Sequence, residues 1–144
     1  MARGITGLGS DIRLDTRRLD RLERALPGRA QQIHARQVIE AVTWAKHLAK
    51  VVTGAMQGSI YYNTEKESTY GAAVATAKAR NPSVNIVPEE PVSGPLDSVI
   101  APAVDYGLVI EFGSSTHSAQ PYLTPAIERA HANAARDWAE LFRV

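Results

Sequence analysis

The chain has 144 residues, 44% of them hydrophobic, which suits one domain with a sizeable core. Sixteen basic residues against fifteen acidic ones leave a formal charge of +1, so there is no strongly basic footprint for DNA. With no cysteine, disulfides, thiolate metal sites and cysteine nucleophiles are excluded.

The opening residues, Met1 to Gly9, lack the apolar run of a signal peptide, and no stretch approaches the ~20 apolar residues that span a bilayer. The expectation is a soluble protein made in a cytoplasm, with no membrane partner. Three glycines in residues 1–10 make residues 1–14 read as a flexible lead-in. Asp15 or Thr16 can cap a first helix carrying Leu19, Leu22 and Leu26, which Pro27-Gly28 interrupts. A second helix is predicted from Arg29 to Val52. Ala30, Ile33, Val38, Ala41, Val42, Ala45, Leu48, Ala49 and Val52 form its apolar half. At the standard rise it is about 36 Å long, which a small domain can bury only against a sheet or neighbouring subunits.

Gly54 suits a left-handed cap after Thr53. A strand is predicted over Ser59–Asn63, a polar turn over Thr64–Thr69, and a second strand of a hairpin over Tyr70–Ala77. Residues 79–97 hold Pro82, Pro88, Pro91 and Pro95 and read as a long loop made sticky by Val84, Ile86 and Val87. A loop of this length usually binds something or stays mobile, and deleting 82–95 is expected to leave folding intact. Val104–Phe112 reads as the clearest strand. Val104, Tyr106, Leu108, Ile110 and Phe112 alternate with Asp105, Gly107, Val109 and Glu111, which puts Tyr106 and Phe112 on a core face and Glu111 opposite. Gly113-Ser114-Ser115 stops it. A last helix is predicted from Thr124-Pro125, buried along Ala126, Ile127, Ala130, Ala134, Trp138 and Leu141. The order of elements predicts one α+β domain over residues 1–144: a long N-terminal amphipathic helix, a small antiparallel sheet and a C-terminal helix packed on the sheet.

Few residues carry recognisable chemistry. His34, His47, His117 and His131 lack the spacing of a helical metal site, and His34 reads as a core-edge or interface residue. Gly4-Ile-Thr-Gly-Leu-Gly has neither a preceding strand nor a Walker lysine. Ser114, Ser115, His117 and Ser118 cluster after a predicted strand, but neighbours on one turn rarely form a nucleophile–base pair. Glu65, Glu67, Glu89 and Glu90 read as solvated loop carboxylates. Arg13, Arg17, Arg18, Arg21, Arg24 and Arg29 interleave with Asp11, Asp15, Asp20 and Glu23, as on a salt-bridged face. A phosphate-contacting surface is the sharper alternative for them. No catalytic residue, metal or cofactor is predicted.

Two segments resemble a known family. Tyr106-Gly-Leu-Val-Ile-Glu111-Phe112-Gly113-Ser-Ser, followed by Ala119-Gln-Pro121-Tyr122-Leu123-Thr-Pro125-Ala126, is similar to the signature of phage head–tail joining and tail-completion proteins, the group that includes the lambda tail protein Z. Upstream, Thr53-Gly54-Ala-Met56-Gln-Gly-Ser59-Ile60 resembles the segment after that family's long helix. Val109, Ser114, Tyr122 and Met56 replace the family's usual tyrosine, threonine, phenylalanine and leucine. The resemblance implies a non-enzymatic virion protein of the neck or tail top, made in a bacterial cytoplasm and assembled as a homo-oligomeric, six-fold ring. Its implied partners are head-completion or connector proteins and a tail tube or tail terminator protein. Genomic DNA would pass through the lumen without sequence-specific binding, and the Pro-rich loop 79–97 would dock on an adjacent ring or order on assembly, so that deleting 82–95 abolishes head–tail joining. Alternatives are a tail terminator capping the tube, a nucleic-acid-binding module using the arginine-rich helix, a hydrolase using Ser114 or Ser115 with His117, and a toxin or immunity-like prophage protein.

Overall fold

A computed structural model of the chain describes residues 4–7, 10–13, 17–49 and 54–143. Where a flexible lead-in is predicted, strands β1 (Gly4–Gly7) and β2 (Ser10–Arg13) pair antiparallel as a ribbon. Helix α1 then runs from Arg17 to Leu48. The break expected at Pro27-Gly28 does not occur. An internal proline costs a helix about 3 kcal/mol, but Leu26 before it and Ala30 and Ile33 after it share one apolar cluster with Leu141 and Trp138. That shared cluster holds both sides of Pro27 on one axis.

Most of the predicted apolar half of α1 is buried, from Ala30 and Ile33 through Val38, Ala41, Val42 and Ala45 to Ala49. Leu48 is exposed, and Val52 and Thr53 lie outside the described residues. Gly54 is left-handed (φ 82°), but it opens the short helix α2 (Ala55–Ser59) rather than closing α1. Strand β3 (Ile60–Thr64) matches the predicted strand to within one residue at each end.

Residues 70–80 depart from expectation, forming helix α3 (Tyr70–Arg80) instead of a hairpin strand. Five alanines in eleven residues favour a helix intrinsically. Ala73 and Ala77, four apart, share the face it buries. The true partner of β3 is β4 (Ser98–Pro102), in the register Ile60↔Pro102 to Thr64↔Ser98. This sheet lies between helices. Ile60, Tyr62 and Ile100 pack with Val42, Ala45 and Ala49 of α1. Tyr61, Val99 and Ala101 pack on the other side with Tyr70, Ala73 and Val74. Tyr61 and Tyr70 meet edge to face at 5.0 Å, an arrangement their ring quadrupoles favour.

Residues 81–97 carry no helix or strand, as predicted for a Pro-rich loop, yet they are tied down. Ile86 bridges Val104, the Val87 N–H donates to the Ala103 carbonyl at 2.8 Å, and Val84 and Ile86 pack against the core. Deleting 82–95 therefore removes core contacts, contrary to the expectation that folding would survive it.

The last two elements are α4 (Gly107–Phe112) and α5 (Leu123–Leu141). Helix α5 runs antiparallel along α1. Arg129 stacks over Trp44 at 3.5 Å, Gln37 joins His131 to the Trp138 indole, and Leu141 meets Ala30 and Ile33. Ala126, Ala130 and Ala134 recur every four residues on its buried face, so little side-chain bulk separates the two helices. The molecule is an α+β fold with a long N-terminal helix, a small antiparallel sheet and a C-terminal helix against both.

Candidate functional site

The segment predicted as the clearest strand is helical. The Ile110 N–H donates to the Tyr106 carbonyl at 3.1 Å and the Gly113 N–H to the Val109 carbonyl at 2.7 Å. Over six residues an alternating pattern also fits a helix face, because partners four apart have the same parity. Gly107 and Glu111 are buried, Tyr106 and Ile110 half-buried, and Leu108, Val109 and Phe112 face outward. Tyr106 and Ile110 pack against the core as expected, but Glu111 and Phe112 exchange their expected places: Glu111 is 2% exposed and Phe112 is 73% exposed.

Helix α5 explains the inversion. A helix start leaves backbone N–H groups without intrahelical partners. The N-cap residue Tyr122 supplies no side-chain cap. Instead, Glu111 Oε2 accepts the N–H of Tyr122 at 2.6 Å and of Leu123 at 2.8 Å. Its Oε1 accepts the Thr124 N–H at 2.8 Å and the Thr124 hydroxyl at 2.6 Å. The next residue, Pro125, has no N–H to satisfy. One carboxylate from another helix thus meets the free donors of Tyr122, Leu123 and Thr124, at the end where the helix dipole favours negative charge. Burial pushes the Glu111 carboxyl up, but the Thr124 hydroxyl and the three N–H groups outweigh it and hold the group below its ordinary value. Thr124, expected as the cap, donates to the residue that performs that role.

The Tyr122 hydroxyl, buried, donates back to the Gly107 carbonyl at 2.9 Å, closing a second tie between α4 and α5. Burial pushes that phenol well above its ordinary range. Two glycines make the joint possible. Gly113 has φ 76°, and a Cβ there would sit 2.8 Å from the Ala119 nitrogen and 2.9 Å from the His117 carbonyl oxygen. At Gly107 a Cβ would lie 2.4 Å from the Pro102 ring.

The two segments that carry the family resemblance meet in one core. Met56 and Ile60 cluster with Tyr122, Leu123 and Ala126, and Tyr106 packs against that cluster. Ser59 is buried and donates to the Met56 carbonyl at 2.7 Å. Pro121 is exposed and Pro125 half-buried. Leu108 and Val109, at 51% and 43% exposure, extend the outward apolar face of Phe112. Periodicity placed Leu108 and Phe112 on the buried side.

In the turn 114–120, Ser114 Oγ receives the backbone N–H groups of Thr116 and His117, and His117 Nδ1 pairs with the Thr116 hydroxyl. The structure therefore does not pair the His117 ring with Ser114. His34 is half-buried on α1, as predicted, and its Nε2 is buried with no hydrogen-bond partner among the described residues. Arg21, Arg24 and Arg29 are exposed. Among the described residues, no three His, Asp or Glu side chains gather to hold a metal ion, and no helix is long and apolar enough to cross a membrane.

Comparison of the chain with models of known protein families, with curated proteins and with solved structures finds no match. The site is therefore read from its geometry: a buried carboxylate that fixes one short helix against the start of another and so presents three apolar side chains to the outside.

Proposed function

We propose that this chain is a structural subunit of the neck or tail top of a long-tailed phage. Copies form a ring around the DNA channel, a hexamer on the family resemblance, and join the completed tail to head-completion proteins. The observation that carries this reading is the outward face of α4. Leu108, Val109 and Phe112 are exposed side by side within the segment that resembles the family, on a helix that Glu111 holds rigid. Contiguous exposed apolar side chains mark interaction sites, and a large aromatic is the commonest kind of anchor. Ring closure needs one surface to meet a different surface on the next copy. The near-neutral charge of the chain suits a lumen through which DNA slides, because each phosphate contact adds affinity and salt dependence.

The test is native mass spectrometry and electron microscopy of the full chain, alone and with purified tails. Wild type forms a ring or adds to the tail end. Leu108→Ser/Phe112→Asp stays monomeric and fails to join heads, with folded stability changed by only about 0.5 kcal/mol, because exposed substitutions act weakly on folding. Finding wild type monomeric at every concentration and missing from particles overturns the reading. Position on the particle separates a neck ring from a tail terminator.

A further inference from the structure

Charge is divided between the two ends of the β3–β4 sheet. Helix α3 starts at the Thr64 end and runs to the Ile60 end, where a Cβ on Gly54 would meet the Arg80 side chain at 3.6 Å. Helix α1 finishes at the same end, because the Gln57 amide of α2 donates to the Lys46 carbonyl at 2.7 Å. Lys46, Lys78 and Arg80, with His47 beside them, thus come from the last turns of two helices and surround α2, which carries no charge. Among the described residues no carboxylate pairs with any of them, and Asp105, which follows Val104, is held by the Asn85 amide at 3.2 Å. The Thr64 end is the reverse. The turn supplies Glu65 and Glu67, with Lys66 between them. The Pro-rich loop returns along β3, where the Asn63 amide donates to the Glu90 carbonyl at 2.9 Å and the Ser68 hydroxyl donates to Glu89. Asp97 closes the group, one residue before the Ser98 that pairs with Thr64. Between this end and α1 is a cavity of about 450 Å³, lined by Gln31, His34, Thr64, Glu65, Lys66 and Glu67 among others. The His34 Nε2 is buried with no hydrogen-bond partner among the described residues.

Within one copy the two ends are screened from each other. The strand holds them about 13 Å apart, beyond the Debye length of about 8 Å at physiological ionic strength. We infer that the cationic end of one copy seats against the acidic end of a second copy of this chain, with Lys78 and Arg80 reaching the cavity beside His34. The partner is another copy because the complement of each end is carried by the chain itself, three cations on one and five carboxylates on the other. Complementary charge of this kind steers docking and fixes register. An ammonium or guanidinium also brings several N–H donors, which a neutral imidazole nitrogen at His34 can accept. Helix α4 begins at the cationic end, where a Cβ on Gly107 would meet the Pro102 ring, so the helix that bears the outward apolar face starts beside these cations. The contact is head to tail and joins unlike surfaces, as a closed ring requires. This inference rests on the proposed ring and names the surfaces that close it.

The experiment measures the native mass of the full chain as wild type and as two charge-reversed variants, Glu65→Lys/Glu90→Lys and Lys78→Glu/Arg80→Glu. All four positions are exposed, so the variants fold, which urea unfolding checks. The first variant has two cationic ends and the second two acidic ends, and the self-association of each weakens on the order of a hundredfold. Mixed one to one, the two assemble again as alternating copies, which a six-membered ring accommodates, and added salt weakens the wild-type assembly. Variants that each assemble alone as wild type does overturn the contact and leave the ring standing. So does a mixture that stays monomeric. A Lys78→Glu/Arg80→Glu chain that assembles normally but loses salt-dependent DNA binding also overturns it and assigns the cationic end to nucleic acid. A wild-type chain that is monomeric throughout overturns both the contact and the ring.

Discussion

Glu111 is the residue on which the joint between α4 and α5 turns. Its four accepted hydrogen bonds all go to the start of α5, and without them buried N–H groups stay unsatisfied. Glu111→Gln keeps the shape but loses the charge and turns one acceptor into a donor facing an N–H. The expected cost is about 2–4 kcal/mol, read from urea unfolding. The pH dependence has a definite sign. The folded carboxyl sits below its ordinary value of 4.5, so the unfolded chain binds this proton first as pH falls. The contribution is complete above about pH 4.5 and fades as pH drops through the lower folded value. The stability gap between wild type and Glu111→Gln should therefore be full at pH 7 and narrow at pH 3. A gap that does not change with pH refutes the charged cap.

Elements differ in how plainly the sequence announces them. The long helix and the last helix are legible because seven or more buried positions, or an alanine every fourth residue, leave one period standing. Short segments lack that redundancy. Tyr70–Ala77 begins with a β-forming aromatic but is carried by alanines. Val104–Phe112 alternates perfectly, yet from Gly107 to Phe112 it folds as a short helix, because the deciding partners of Glu111 lie more than ten residues away. Strand β4 escaped notice because Ser98 to Pro102 sits among prolines with no alternation to mark it. The motif residues from Glu111 to Ala126 could be singled out in advance. Which of them faces outward could not, because burial there follows the Glu111 bonds. The Pro-rich loop shows the same limit, since its hold on the core comes from distant Val104 and Ala103. Ile86→Ala, at a half-buried site, should cost about 1–2 kcal/mol in urea unfolding. No loss of stability would mean that the loop sits on the core without holding it. Folding loss in a loop deletion would report this packing, so a joining defect there needs a stability control.

The whole molecule divides its labour between an inside and an outside. The α1–α5 pair and α3 enclose the two-stranded sheet, and the apolar side chains they leave over, Phe112 foremost, lie on the surface.

The turn that joins α4 to α5 has a practical consequence for handling the protein. Residues 114–120 are exposed throughout, which makes this turn a natural point for protease attack. A cut there breaks the covalent chain but spares the carboxylate clasp, the tyrosine–glycine tie and the long interhelical seam. The nicked protein should elute from a sizing column as one particle and separate into two fragments only in denaturant. Fragments that part under native conditions would show that the clasp holds helices only while the peptide link does.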